Sequence, residues 1–292
     1  MGIATLIGFY PEIEAAKLLL SQNLIDLPDT LEAIHTLWEK SAEKRKQLPP
    51  RKLNPSLQST LQLEQFEKKL KAWPIYQHAF GNVNFQLLMI PLDELIPVQW
   101  YLDLDYGKTL INQVPKPETS TIENLSHYLY NDKMYWPRPT FDHSNGCRSL
   151  KIPEITPNMD VRFIKLDSRT NDPITHEATI RIQPGFNYLH VAQIRRYRLV
   201  IINGGHHACA LYQVGWTRIP CLVRKANNLA EIGFPPDQLG VIPEDQVLNS
   251  GHPPSLSDYF DEMVAPRFDQ YVIDQTTLQL QPITTPTCKP PA

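Results

Sequence analysis

Two glycines followed directly by two histidines occupy positions 204 to 207, within the sequence RLVIINGGHHACALYQVGW. The apolar run that ends at Asn203 predicts a β-strand, and the apolar spacing after the histidines predicts a short helix. Glycine permits backbone angles that other residues resist, and the first turn of a helix has unpaired N–H groups at the positive end of its dipole. Asn203, Gly204 and Gly205 are therefore predicted to cradle an anion or a phosphate group, although tight connections without a ligand have the same pattern.

The two histidines carry the chemistry that this corner could perform. Imidazole titrates near neutral pH, so His206 is a candidate general acid or base, and His207 is a candidate catalytic group that donates to phosphate. Adjacent side chains on a helix point about 100° apart, so one ring is expected to pack and the other to face a cleft. A chelating pair would prefer a spacing of four residues, which makes this pair a poor metal site.

Charged residues elsewhere in the chain could serve a phosphate ligand. Arg195 and Arg196, in the run IRRYR before the strand, are predicted to supply positive charge to the phosphate or to contact nucleic acid. The alternative is an exposed edge with solubilising charges. Asp93 and Glu94 are predicted to hold a Mg²⁺ ion, with helix capping as the alternative role for Asp93.

The four cysteines follow no metal-binding or disulfide pattern, since no two of them form a CxxC pair. Reduced thiols in the cytoplasm are the simplest interpretation. Cys147 follows His143 in an aromatic-rich loop, but a four-residue spacing in a loop is not specific for a catalytic pair. Cys209 lies in the predicted helix after the corner and is predicted to pack in the core.

The composition is that of an ordinary globular protein, with 42% hydrophobic and 20% charged residues among 292. The formal net charge of −3 at pH 7 gives no support to a large DNA interface. No stretch of 18 or more apolar residues predicts a membrane span, and the N-terminus lacks the basic residues of a secretory signal. A cytoplasmic protein is expected.

The elements that must position these residues fall into three regions. Residues 1–82 are predicted to form a helical N-terminal extension, and residues 83–225 a mixed α+β core. Residues 226–292 are rich in proline, of which the chain has 27, and are predicted to wrap the core as an extended segment.

Individual elements follow from capping residues and apolar spacing. Helices are predicted to begin near Pro11, at Asp29 or Thr30, and near Pro55. Gly215 is placed to end the helix after the corner. Further elements are expected at 85–90, 92–96, 120–131, 159–167, 176–184, 197–203, 206–216 and 219–224.

Two of these segments resemble the core motifs of the ParB/sulfiredoxin superfamily. VIINGGHHACALYQVGWTRIPCLVR is similar to the family's strand, glycine box, helix and following strand, and LLMIPLDELIPVQW is similar to its opening element. The match covers about residues 83–225, with a long insertion between the motifs. The resemblance implies a ParB/sulfiredoxin-like mixed-sheet core and the binding of a nucleotide, ATP or CTP with Mg²⁺, at the box of a prokaryotic protein.

The box departs from the family pattern at two positions. His206 stands where sulfiredoxins have their cysteine, which excludes that thiol chemistry, while His207 matches the sulfiredoxin histidine. Ala208 stands where the family has an arginine that faces phosphate, so a bidentate phosphate contact is missing.

Two hypotheses of different class follow from the resemblance and the departures. The first is a domain that binds a nucleotide or another phosphate-bearing ligand at the corner, with phosphotransfer or hydrolysis as its activity. The second is a catalytically inactive interaction module with a protein partner, in a prokaryotic protein or protein–DNA assembly.

Overall fold

The computed structural model shows an α+β protein, as the sequence predicts, and divides the chain into two compact units. The first unit contains residues 1–131 and 187–271, and the second contains residues 132–186 and 272–292. The structure describes residues 2–21, 30–51, 53–80, 83–130, 140–142, 148–151, 160–168, 176–183, 188–235, 238, 240–269 and 279–280. Within those residues, no helix is both long and apolar enough to cross a membrane.

The elements are numbered in chain order. The helices are α1 (Glu12–Ser21), α2 (Thr30–Lys46), α3 (Leu61–Ala72), α4 (Pro74–Phe80), α5 (Leu104–Ile111), α6 (Ile122–Leu129), α7 (Gly205–Gln213) and α8 (Glu244–Leu248). The strands are β1 (Ile3–Thr5), β2 (Gln86–Pro91), β3 (Leu95–Ile96), β4 (Tyr101–Asp103), β5 (Thr140–Asp142), β6 (Arg148–Lys151), β7 (Asp160–Ser168), β8 (His176–Gln183), β9 (His190–Ile194), β10 (Arg198–Asn203), β11 (Arg218–Ala226), β12 (Arg267–Phe268) and β13 (Gln279–Leu280).

The main sheet of the first unit has five strands in the order β2-β11-β9-β10-β3. The outer pair β2/β11 and the hairpin β9/β10 are antiparallel, whereas β11/β9 and β10/β3 are parallel. Apolar side chains on β9 and β10, among them Val191, Ala192, Leu199 and Val200, are fully buried. This mixed sheet forms the centre of the unit and supports the strand that leads into the glycine corner.

The turn from β10 into α7 depends on a left-handed glycine. Gly204 has φ +89°, and a Cβ atom there would lie 2.6 Å from the Leu189 side chain and 2.9 Å from the carbonyl oxygen of Tyr188. At the other end of α7, Gly215 has φ +95° and its N–H donates to the carbonyl of Tyr212. The predicted strand, glycine turn, helix and glycine stop are therefore confirmed.

A second, three-stranded sheet has the order β12-β1-β4 and joins distant parts of the chain. In it, β1 pairs antiparallel with both neighbours. The region 1–82 was predicted as a helical extension, but it also contributes this central strand and belongs to the same compact unit as the core. The first unit therefore combines residues from all three of the predicted regions.

The helices of the N-terminal region agree in part with the prediction. The helix expected near Pro55 begins at Leu61, because the Thr60 hydroxyl accepts from the N–H of Leu63 and caps the helix there. For the helix expected at 120–131, Ser120 and Thr121 were both candidate N-caps, and it is Thr121 that accepts from the N–H of Asn124 at the start of α6. Asp29 lies outside the described residues.

The second unit contains a β7/β8 hairpin and a three-stranded sheet in the order β13-β6-β5. The hairpin corresponds to the predicted strands 159–167 and 176–184. In the proline-rich region of the first unit, residues 240–269 contain only the short α8, a 3-10 turn and β12, which agrees with a loop-rich segment. His143 and Cys147 lie outside the described residues.

Candidate functional site

The candidate site is the N-terminus of α7, at the end of β10. No side chain caps this nine-residue helix, and the first helical hydrogen bond runs from the N–H of Ala208 to the carbonyl of Gly204. Gly204, Gly205 and His206 are partly exposed. The backbone N–H groups before that of Ala208 have no acceptor within the helix. Together with the positive end of the helix dipole, they favour a negatively charged ligand.

His206 joins α7 to the neighbouring elements β4 and α5. The backbone N–H of Asp103 donates to its Nε2 at 3.2 Å, so the proton of the neutral ring is on Nδ1. The ring also lies against Tyr106, with 5.3 Å between the ring centroids. Burial lowers the pKa of His206, although the charge of Asp103 opposes the shift. A general base at Nε2 would first have to break the bond to Asp103.

His207 is the more buried of the two histidines, with 8% of its surface exposed. Its ring centroid lies 5.9 Å from that of Tyr128 on α6. Burial, with a further effect from His206, lowers its pKa to about 4, so the ring is neutral at pH 7. The sequence predicted that one ring would pack and the other would face a cleft, but both pack, against different helices.

Two tyrosines that the sequence did not single out complete the surroundings. Tyr106 comes from α5 and Tyr128 from α6, and both are partly exposed. Burial raises the pKa of Tyr106, and it raises that of Tyr128 to about 12, so both phenols keep their protons at pH 7. Neither residue belongs to a motif, and α5 was not predicted, so no sequence signal pointed to them.

The residues of the corner differ in their accessibility to a ligand. The Asn203 side chain donates to the carbonyl of Tyr188 at 3.2 Å, so this amide holds the end of β10. Gly204 is tightly packed, as described above. Gly205 is open, since a Cβ atom there would meet only the Oε1 atom of Gln99, at 3.5 Å.

Arg195 and Arg196 lie at the opposite end of β10 from the corner. The six residues of β10 span about 20 Å at ~3.3 Å per residue, so the structure does not bring these arginines to Gly204. Both have positive φ angles, 49° and 69°, in the turn between β9 and β10. Arg195 donates to the side-chain oxygen of Asn249.

Asp93 and Glu94 form the short 3-10 turn after β2. Glu94 accepts from the N–H of Asn54 at 3.0 Å, and burial raises the pKa of its carboxyl group. Asp93 is exposed, and in the part of the chain that the structure describes no side chain caps the start of this turn, whose N-cap residue is Pro91. Among the described residues, no group of three or more His, Cys, Asp or Glu side chains is placed to hold a metal ion.

Cys209 on α7 is 2% exposed, as expected for a core cysteine. Burial raises the pKa of its thiol well above the usual value, so it stays protonated and unreactive. Cys209 is therefore a packing residue, as the sequence predicted.

Comparisons with known proteins add no relative, because no family model, no curated protein and no solved structure matches the chain. The resemblance to the ParB/sulfiredoxin superfamily stays a prediction that depends on the two sequence motifs.

Proposed function

We propose that this protein binds a nucleotide or another phosphate-bearing ligand at the corner between β10 and α7. The observation that carries the proposal is the uncapped N-terminus of α7, which follows Gly204, begins at Gly205 and is partly open at Gly205. Backbone N–H groups at such a position, together with the helix dipole, are a common way to bind phosphate.

Neutral donors surround this helix end. The phenols of Tyr106 and Tyr128 and the imidazole of His207 are uncharged at pH 7, because their pKa values are shifted away from neutrality. Each can donate one hydrogen bond, and their rings offer aromatic faces to a base. Because neutral donors bind phosphate less strongly than the arginine that Ala208 replaces, the affinity is expected to be moderate.

The proposal is restricted to binding. Hydrolysis or phosphotransfer would need a free acid or base, and the Nε2 atom of His206 already accepts from Asp103. The ligands proposed are ATP or CTP with Mg²⁺, in which the ion accompanies the nucleotide.

A charge placed at Gly205 tests the proposal. Gly205→Asp puts a carboxylate where the phosphate is proposed to lie, while an acid in the first helical turn stabilises a helix by about 0.3–1 kcal/mol. Calorimetric titration with ATP, ADP and CTP in the presence of Mg²⁺ should show binding to the wild type and a loss of about tenfold or more in the variant. Gly205→Ala is the matched control and should bind nearly as well as the wild type, since the space beside Gly205 admits a Cβ atom.

His207→Ala should also weaken binding, because it removes a donor from α7. Flat titrations of the wild type against all three nucleotides would refute the proposed function. Equal affinity in wild type and Gly205→Asp would place any nucleotide elsewhere on the protein.

A second candidate is a catalytically inactive interaction module, and the packing of both histidines favours it. The Nε2 atom of His206 accepts a hydrogen bond from the N–H of Asp103, and His207 is buried against Tyr128. Such contacts are typical of histidines that only stabilise a fold. Size-exclusion chromatography of the protein from its native cells would then show a stable complex with a protein partner. Monomeric elution together with nucleotide binding would contradict it.

A further inference from the structure

A pocket of about 250 Å³ lies between the end of α2 and residues 250–252, and it has a basic lining. Two segments of the chain line it, with Arg45, Lys46, Leu48 and Pro50 from the first and Ser250, Gly251 and His252 from the second. Three of these seven described residues have basic side chains and none has an acidic one. The pocket, named here the α2-end pocket, shares no lining residue with the Gly204–His207 corner.

Two further arginines hold the backbone beside the α2-end pocket. Arg51 donates from Nη1 to the carbonyl oxygens of Pro253 and Pro254, at 3.0 and 2.8 Å. Arg198 donates from Nη2 to the carbonyl oxygen of Ser250 at 3.0 Å. These cations come from separate elements and gather at one loop in a chain whose net charge is −3. Basic side chains are therefore concentrated here although the whole protein is slightly acidic, and the carboxylates of Glu43 and Asp258 lie beside two of them.

Arg45 is fixed in place but incompletely hydrogen-bonded. Its guanidinium group lies 5.4 Å from the centre of the Phe9 ring, and its Nη1 atom donates to Gln246. Its Nε atom is buried and has no hydrogen-bond partner among the described residues. Because Arg45 also lines the pocket, its guanidinium group can donate to the acceptors of a ligand there.

Lys46 and His252 line the pocket from two separate segments of the chain. The Lys46 ammonium group is exposed and pairs with Glu43 at 2.7 Å, and such a surface pair is weak enough to exchange for a ligand. His252 donates from Nδ1 to the carbonyl of Pro49 at 2.9 Å, which fixes the ring at the pocket wall. Its Nε2 atom lies 3.5 Å from a carboxylate oxygen of Asp258.

The helix dipole explains only part of this arrangement. Cations are favoured in the last turn of a helix, and α2 ends with Lys44, Arg45 and Lys46. That preference predicts basic residues on α2, and the position of His252 follows from its contacts with Pro49 and Asp258. Neither explains the cavity beside the basic residues, and a ligand of negative charge accounts for it.

We propose that the α2-end pocket binds the phosphate group of a small molecule, with Arg45 as a forked donor and Lys46 as a point charge. The pocket is smaller than the ~300–1,000 Å³ of sites that hold drug-sized ligands, so its volume fits inorganic phosphate or a small phosphomonoester and not a nucleotide. Arginine and lysine together are the usual protein ligands of phosphate groups.

The test is calorimetric titration of the full chain at constant ionic strength with inorganic phosphate, glycerol 3-phosphate and acetate. Saturable binding of at least one phosphate compound, tighter than that of acetate, is expected. Tighter binding of glycerol 3-phosphate than of inorganic phosphate would identify the monoester as the source, and the reverse would identify the free ion. Arg45→Gln should weaken binding about tenfold or more, and Lys46→Gln about threefold or more, because each removes a charge-assisted hydrogen bond.

Lys44→Gln is the matched control, since Lys44 lies in the same helical turn but does not line the pocket. Melting temperatures of the variants show whether Arg45→Gln keeps its fold, and Lys46 is exposed enough that its variant should fold normally. Phosphate binding should persist in Gly205→Asp, which separates this site from the corner. Acetate binding as tight as phosphate binding, wild-type affinity in both pocket variants, or a lack of saturation in the wild type would overturn the proposal.

Discussion

Three histidines of the first unit, His190, His206 and His207, are largely buried and have lowered pKa values. His190 is the extreme case, because burial and then the charge of Arg224 lower its pKa to about 3. The rings of Phe80 and Phe85 lie 5.4 and 6.2 Å from it, and its Nε2 atom has no hydrogen-bond partner among the described residues. Imidazoles in these positions are neutral packing groups at pH 7.

This burial predicts acid sensitivity. A group whose pKa is lower in the folded than in the unfolded state contributes full stability above the unfolded pKa, near 6.5. The contribution decreases as the pH falls toward the folded pKa, about 3 for His190 and about 4 for His207. The unfolding free energy from urea titrations should therefore decrease between pH 7 and pH 4.

His190→Phe should reduce that decrease by on the order of 2 kcal/mol, because phenylalanine keeps the aromatic shape and does not titrate. His35→Gln is a control of opposite sign, because the hydrogen bond to Glu12 raises the pKa of the exposed His35, so its removal should not reduce the decrease. An unchanged slope in His190→Phe would contradict the buried, neutral state of this ring.

At the residue scale, the sequence predicted which residues form the corner but not what each contacts. The glycines and histidines are conspicuous because of their types and order. The contacts of His206 with Asp103 and of His207 with Tyr128 depend on how α5 and α6 pack against α7, which no local pattern encodes.

At the element scale, the junction of β10 and α7 was predictable because a long apolar run and two glycines mark it. The hairpin of β9 and β10 was not predictable, because no such signal marks its turn. Its turn places Arg195 and Arg196 at positive φ, where Asn or Gly is the usual signal, so the sequence lacks the signature of a hairpin. The start of α3 was misplaced because Pro55 is a visible signal and the Thr60 cap is a subtle one.

The left-handed conformation of Gly204 predicts how a substitution at the β10–α7 junction changes the stability of the protein. Gly204→Ala adds a Cβ atom that would meet Leu189 and the Tyr188 carbonyl in a backbone conformation that disfavours side chains. We expect a loss of about 2–4 kcal/mol in the free energy of unfolding, from conformation and from steric overlap together.

Gly233→Ala separates the two contributions. Gly233 has φ +93°, but a Cβ atom there meets nothing within 4 Å, so only the conformational cost of about 1–2 kcal/mol should appear. Urea unfolding of both variants measures the difference. Equal losses would mean that the space beside Gly204 is not as tight as the structure describes.

At the scale of the whole molecule, the basic residues that contact the loop at 250–254 come from distant parts of the sequence. Arg51 and Arg198 both hold the segment 250–254, although 147 positions separate them in the numbering. In the sequence, the basic residues near position 45 suggest only a solvated helix end, and those near 195 only a charged edge. Their convergence depends on the path of the proline-rich region, and loop-rich segments carry no periodic pattern from which such a path can be predicted.

Ser41 links three distant segments of the first unit through one hydroxyl group. It accepts from the N–H of Gly8 at 3.2 Å and donates to the carbonyl oxygen of Val264 at 2.5 Å, and the serine is fully buried. Ser41→Ala would leave both backbone groups unpaired, with a loss of about 2–3 kcal/mol in the free energy of unfolding. Ser59→Ala is the control, because its exposed hydroxyl bonds only to Glu64 and its loss should stay within about 0.5 kcal/mol. Urea unfolding of the two variants measures the difference. Similar small losses in the free energy of unfolding would show that the segments around Gly8 and Val264 do not depend on Ser41 of α2 for their positions.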